Sequence, residues 1–334
     1  MAGGTWISQN KIRPGVYIRF QSAENLSLNA SDRGVVTICE PLSWGPVAQV
    51  MEIEAGADMT PYTGYDITNE KNRFLQEIFK GSNRTAAPRK VLLYRPTASS
   101  SAQASVTIGT MTATAKYPGT RGNDISVVVT ALTEPEDSFA VSTVVDGAVV
   151  DTQTAATADT LVGNNWVTFS GTGALTADSG KPLTGGEDGT VQSAAYSAYL
   201  NAIEPYKFDI LIYDGTESTV QNAMIAFVER IADEAGQYSQ LVTSGLSNPD
   251  SRYVINVESG VTLSDGTALT AAQTTWWVGG AEAGALYNES LTYAQYPNAV
   301  SASPLMTNSQ YAEALQAGEF VLFAEDGQVK VEQD

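Results

Sequence analysis

Leu183-Thr184-Gly185-Gly186-Glu187-Asp188-Gly189 is the stretch on which the reading of this 334-residue chain turns. On its N-terminal side, back to Ser105, short runs of Val, Thr and Ala alternate without any helical period. Runs at 105–108, 124–130, 139–145, 148–152 and 166–170 read as strands. Asp146-Gly147, between two Val-rich runs, reads as a hairpin turn. On its C-terminal side the helical period returns: Val220, Met224, Phe227, Val228 and Ile231 share one face of a helix over 218–235.

Outward from this division the two flanks look alike. Before the all-β stretch come a strand at 34–40, a helix at 68–80 and a strand at 91–95. Phe74, Leu75, Ile78 and Phe79 line one face of that helix, and Gly81 stands in the C-cap position. A Ser/Ala-rich linker follows at 96–103. After the glycine bracket come a helix at 191–203, a strand at 208–213, the helix at 218–235 and a strand at 253–257. A small-residue helix at 270–286 carries Trp276 and Trp277, a short helix at 307–317 ends at Gly318, and a hairpin joins 320–324 to 329–331. Alternating strands and helices on both sides of a β stretch predict an α+β multidomain chain, a discontinuous α/β core domain with an inserted all-β, sandwich-like domain. The divisions are an extended arm at 1–15, the first part of the α/β region at 16–96, the insertion at 97–186 and the rest of the core at 187–334.

Composition removes whole classes of chemistry. The chain has no histidine and one cysteine, which excludes Ser-His-Asp and Cys-His catalysis and leaves no ligand set for a structural zinc. Cys39 lies in an apolar run and reads as a buried small hydrophobe. A formal net charge of -19 argues against nucleic acid as a partner. No apolar run reaches the ~20 residues of a membrane helix. The charge is uneven: residues 1–95 hold 11 of the 18 Lys and Arg but 9 of the 37 Asp and Glu. A near-neutral head on an acidic body can attract other copies head to body, or the acidic surface can simply keep the chain soluble.

Other candidate sites read as ordinary structure. Glu134-Pro135-Glu136-Asp137 lacks the spacing of a calcium loop and reads as a solvated turn, Glu187-Asp188 as a hinge, and Trp276-Trp277 as core. Among 37 acidic residues nothing singles out a glycosidase pair. No metal or cofactor is expected. The terminal segments differ from the rest. Pro14-Gly15 leads into Val16-Tyr17-Ile18, and Val329-Lys330-Val331 closes the chain's last hairpin. Strand edges at both ends would template pairing with another chain, so these residues are the expected assembly interface.

Four segments, in order, carry a resemblance. They are Arg13-Pro14-Gly15-Val16-Tyr17-Ile18; Ala115-Lys116-Tyr117-Pro118-Gly119-Thr120-Arg121-Gly122-Asn123-Asp124-Ile125; the 183–189 bracket; and Asn288-Glu289-Ser290-Leu291-Thr292-Tyr293 with Glu319-Phe320-Val321-Leu322. Together they resemble the tail sheath protein of contractile phage tails and related particles, closest to the form in defective phages of Gram-positive bacteria. The resemblance implies subunits stacked as hexameric rings around a tail tube, with terminal strands crossing between neighbours and contraction driving the tube through a cell envelope. It implies as partners other copies of the chain, the tail tube protein, and baseplate and tail terminator proteins, with no membrane insertion. It places the protein in a virion or a phage-tail-like particle such as a bacteriocin, assembled in the bacterial host cytoplasm. It also implies a C-terminal domain after the last strand, which is not expected in the chain ending at Asp334, so that this chain is expected to be monomeric or weakly associating. The alternatives are a non-contractile tube or capsid component and a carboxylate-dependent glycosidase.

Overall fold

The computed structural model describes residues 33–247 and 251–334. Its organising element is the strand Val35–Cys39, five residues all buried. A strand covered on both faces belongs in the middle of a parallel sheet. It pairs in parallel with Lys90–Tyr94 on one side and with Ile210–Ile212 on the other. Parallel pairing continues through Gln240–Ser244, Val254–Val257 and Glu319–Phe320. Val50–Glu54 closes the opposite edge antiparallel to Lys90–Tyr94, making seven strands.

Alternation along these strands serves two separate cores. Val36, Ile38, Leu93, Ile210, Ile212 and Val242 face the helices Arg73–Ile78 and Ala271–Gly284. Val35, Cys39, Leu92, Tyr94, Leu211 and Leu241 face Ser193–Ile203 and Ser218–Ala235. The helix Ala271–Gly284 is buried nearly all round, which explains its small residues. A Cβ at Gly280 would stand 2.0 Å from the Ile78 carbonyl oxygen.

The insertion is a β-sandwich. One sheet holds Val167–Gly171, Met111–Ala115 and Ser105–Ile108; the other holds Asp178–Pro182, Ile125–Ala131, Phe139–Val145 and Ala148–Ala155. Their inner faces meet through Ile108, Met111, Ala113, Ile125, Val127, Val141 and Val167. Asp146 and Gly147 both have positive φ, 52° and 77°, as a two-residue hairpin turn requires. The entering and leaving chains pair side by side, Ala98–Ser99 against Thr190–Val191. The fold is the expected α+β one, a discontinuous α/β core with an inserted all-β domain.

Some elements differ from the sequence reading. The helix at 68–80 is shorter, a 3-10 turn at Glu70–Asn72 running into Arg73–Ile78, because Asp66 accepts from the Thr68 N–H and hydroxyl and holds that residue in a turn. Val50–Glu54, Met111–Ala115, Asp178–Pro182 and Gln240–Ser244 are strands the sequence did not announce. Gln240–Ser244 is central yet polar; its buried Thr243 and Ser244 are served by the Gln221 amide, at 3.3 Å to Thr243 Oγ1 and 2.8 Å to the Ser244 oxygen.

The last hairpin also departs from expectation. Gln328–Val331 is the middle strand of a three-stranded sheet, paired with Leu322–Glu325 on one side and Gln295–Tyr296 on the other. Both its edges are satisfied within its own chain. Val329 and Val331 are fully buried in the core that holds Trp277 and Tyr296. The expected arm at 1–15 and the strand beginning at Val16 lie outside the described residues.

Candidate functional site

The residues of the Pro118-to-Asp124 motif and of the 185–189 bracket converge where the sandwich meets the α/β core. Trp44, after the turn that follows the first strand, is 1% exposed, and its indole belongs to the core of the sandwich. It packs edge-on to Tyr117 at 5.3 Å and tilted on Trp166 at 5.0 Å. One domain thus inserts a large side chain into the other.

Arg121 fastens the same joint. Its Nε donates to the Gly64 oxygen at 2.9 Å, its Nη1 and Nη2 donate to the two Asp146 oxygens at 2.8 and 2.6 Å, and Nη1 also reaches Asp124 at 3.1 Å. The guanidinium lies 4.2 Å from the Tyr65 ring centroid. A planar fork meets two carboxylate oxygens at once, which an ammonium cannot do. Hydrogen bonding from Arg121 holds the Asp146 carboxyl below the usual aspartate range.

Arg95 adds a second fastening, donating to the Gly45 and Pro118 oxygens at 2.8 Å each. Burial pushes its guanidinium down to about 10, so it stays charged at neutral pH. Asp188 of the bracket accepts from the Thr120 N–H at 2.7 Å and from the Thr120 hydroxyl at 2.9 Å. The Asn123 amide and the Gly186 backbone exchange two hydrogen bonds, 2.9 and 3.0 Å. Gly119, at φ 129°, passes so close to Ser43 that a Cβ would stand 2.1 Å from its carbonyl oxygen. The motif residues are therefore those of a rigid interdomain joint. A cavity of about 250 Å³ lined by Pro41, Arg95, Ser101, Asp188 and Thr190 remains beside it.

The other sequence candidates fall elsewhere. Glu134, Glu136 and Asp137 are exposed in a turn. Trp277 is core, donating to the Gly81 oxygen at 2.8 Å and stacked on Tyr296 at 4.1 Å. Burial raises the Cys39 thiol well above its ordinary value. Among the described residues no three His, Cys, Asp or Glu side chains are grouped to hold a metal. Of the expected interface residues, Pro14, Gly15, Val16, Tyr17 and Ile18 lie outside the described residues. Val329 and Val331 are buried, and Lys330 is ion-paired with Glu325 at 2.9 Å. One pair escaped the sequence reading: the register sets Glu40 and Asp214 opposite each other at the carboxyl ends of adjacent parallel strands, the position where doubly wound sheets host ligands. Here the Trp276 indole N–H donates to Asp214 at 3.0 Å. No spacing links two acids so far apart in sequence.

Three family models cover the described chain. Residues 33–95 match the tail sheath protein Gp18 domain III N-terminal region, 98–188 the phage tail sheath protein beta-sandwich domain, and 189–334 the phage tail sheath protein central domain. The phage-like element PBSX protein XkdK of Bacillus subtilis (strain 168) is 34% identical over the whole chain, which spans 75% of that protein. YqbK of the same organism is 35% identical with the same coverage. The sheath tail protein of Desulfitobacterium hafniense superposes with a TM-score of 0.86 at 44% identity, over 96% of this chain and 74% of that one. The sheath tail protein of Listeria innocua gives 0.80 at 33% identity, over 91% and 68%. The chain belongs to the phage tail sheath protein family and is a structural component of a phage or phage-like tail.

Proposed function

We propose that this sheath-family chain is the mechanical subunit of a contractile tail, stacking as hexameric rings around a tail tube and shortening to drive that tube through a cell envelope. Its partners in this reading are other copies of itself, the tail tube protein, and the baseplate and tail terminator proteins. It works by rearranging interfaces between rigid bodies and makes or breaks no covalent bond. The segment Pro14 to Ile18 is the link to a neighbouring copy.

The interdomain joint carries this reading. Trp44, Arg95, Arg121 and Asp188 tie the sandwich to the core at several points, so force applied to one domain reaches the other without loss in a hinge. A few kcal/mol per subunit is enough to separate two packings of such bodies. Negative-stain microscopy of native particles before and after triggering tests it. A sheath that shortens and widens is the expected result; particles of unchanged length would leave a non-contractile tube or capsid role instead.

A further inference from the structure

Glu40 ends the first strand and Asp214 follows the strand beside it. The parallel register Val36 to Ile210 and Ile38 to Ile212 carries both carboxyl groups to the same end of the sheet. Glu40 is 9% exposed, and its Oε1 has no hydrogen-bond donor. Continued two residues, that register sets Asp214 opposite Glu40; the Asp214 carboxyl accepts from the Trp276 indole N–H at 3.0 Å, and the same indole also favours the charged form of Glu40. Two ionised carboxylates in a dry contact repel strongly unless something positive lies between them.

Among the described residues no side-chain cation is paired with either acid. The groups facing the pair are Cys39 from the first strand and Tyr196 and Tyr199 from the helix Ser193–Ile203. Tyr213 stands beside Asp214 with Glu217 beyond it, and Trp276 comes from the helix Ala271–Gly284.

We propose that Glu40 and Asp214 form a proton-held latch, in which one proton resides on Glu40, is donated to Asp214, and closes the carboxyl end of the central sheet beneath Trp276. Release of that proton to solvent leaves two contacting carboxylates and opens this end of the sheet. Burial first, and the Asp214 charge second, hold the Glu40 carboxyl well above its ordinary value of 4.5. In the unfolded chain the same group ionises near that ordinary value. The folded chain therefore binds one more proton across the window between the two values. Stability from the latch is complete below the ordinary value, declines as pH rises through the window, and is gone above the folded value.

The test is proton release on urea unfolding of the full chain in weak buffer, read at a series of pH values upward from 4.5, with the pH dependence of the folding constant. The expected result is that Glu40→Gln, which keeps an amide donor toward Asp214, releases one proton fewer than wild type. Its folding constant should also fall about tenfold less per pH unit within the window. Equal proton counts and parallel pH profiles would overturn the latch. If that variant does not fold, Asp214→Asn decides: without the Asp214 charge Glu40 loses its proton at lower pH, so the falling part of the stability profile should move to lower pH, and an unmoved profile overturns the latch. A wild-type stability that rises with added sodium, potassium or calcium and is lost on their removal would identify a bridging cation and likewise overturn it.

Discussion

Arg121 and Asp146, in the motif and in a distant hairpin turn, face each other fork to fork at 2.6 and 2.8 Å, while the same guanidinium reaches Gly64 in the other domain. The turn is thereby tied to the joint. The two ends of this ion pair differ in environment, Arg121 being buried and Asp146 largely exposed.

Arg121→Ala should destabilise the chain by about 2–4 kcal/mol, since it orphans the buried Gly64 oxygen and empties the space against Tyr65. Arg121→Lys should recover only part of this, because an ammonium cannot span both Asp146 oxygens. Urea unfolding of the three proteins measures both.

Asp146→Asn should cost about 1–2 kcal/mol, between an exposed and a buried ion pair, because Asp146 is exposed while the Arg121 it leaves is buried. Its effect should depend on pH. The folded-state carboxyl sits below its ordinary value of 3.8, so the contribution is present above that value and is lost as pH falls through the folded one. The acid limb of the wild-type stability profile should therefore be slightly steeper than that of the variant.

Trp44→Ala should cost about 3–5 kcal/mol as a buried large-to-small change. Because Trp44 couples the domains, calorimetry should resolve separate transitions for sandwich and core where wild type shows one. A single transition at lower temperature would show that Trp44 only fills space.

Gly280→Ala should lower stability by more than about 2 kcal/mol, since the added methyl collides with the Ile78 backbone, which cannot rotate away. Thermal unfolding followed by circular dichroism is sufficient to see it.

Assembly of the full-length sheath protein should weaken with salt if the near-neutral residues 1–95 meet the acidic body of a neighbour, because exposed charges are screened beyond about 10 Å at 0.1 M. Light scattering across a salt series reads this directly, and assembly indifferent to salt would exclude the electrostatic contact.

Much of the architecture was legible where local pattern and burial agree. The helix Ser218–Ala235 has the predicted boundaries because its apolar residues keep one face. Phe139–Val145 was likewise legible because its inward residues alternate against the sandwich core. Gln240–Ser244 was not, because its buried polar residues are made tolerable by Gln221, a partner on another element. The motif around Arg121 could be recognised by order and spacing, but not its work at the joint, which depends on Gly64 and Asp146 being delivered to it.

By itself the sequence determined the exclusion of histidine chemistry, the acidic charge and the alternation of helix and strand, because these are counts and periods along one dimension. Only the tertiary structure decided that Glu40 stands opposite Asp214 and that Val329 and Val331 are sealed inside their own chain. Which strand edge is left open and which acids touch depend on how distant segments stack, and sheet pairing between remote strands leaves no mark in the local pattern of either one.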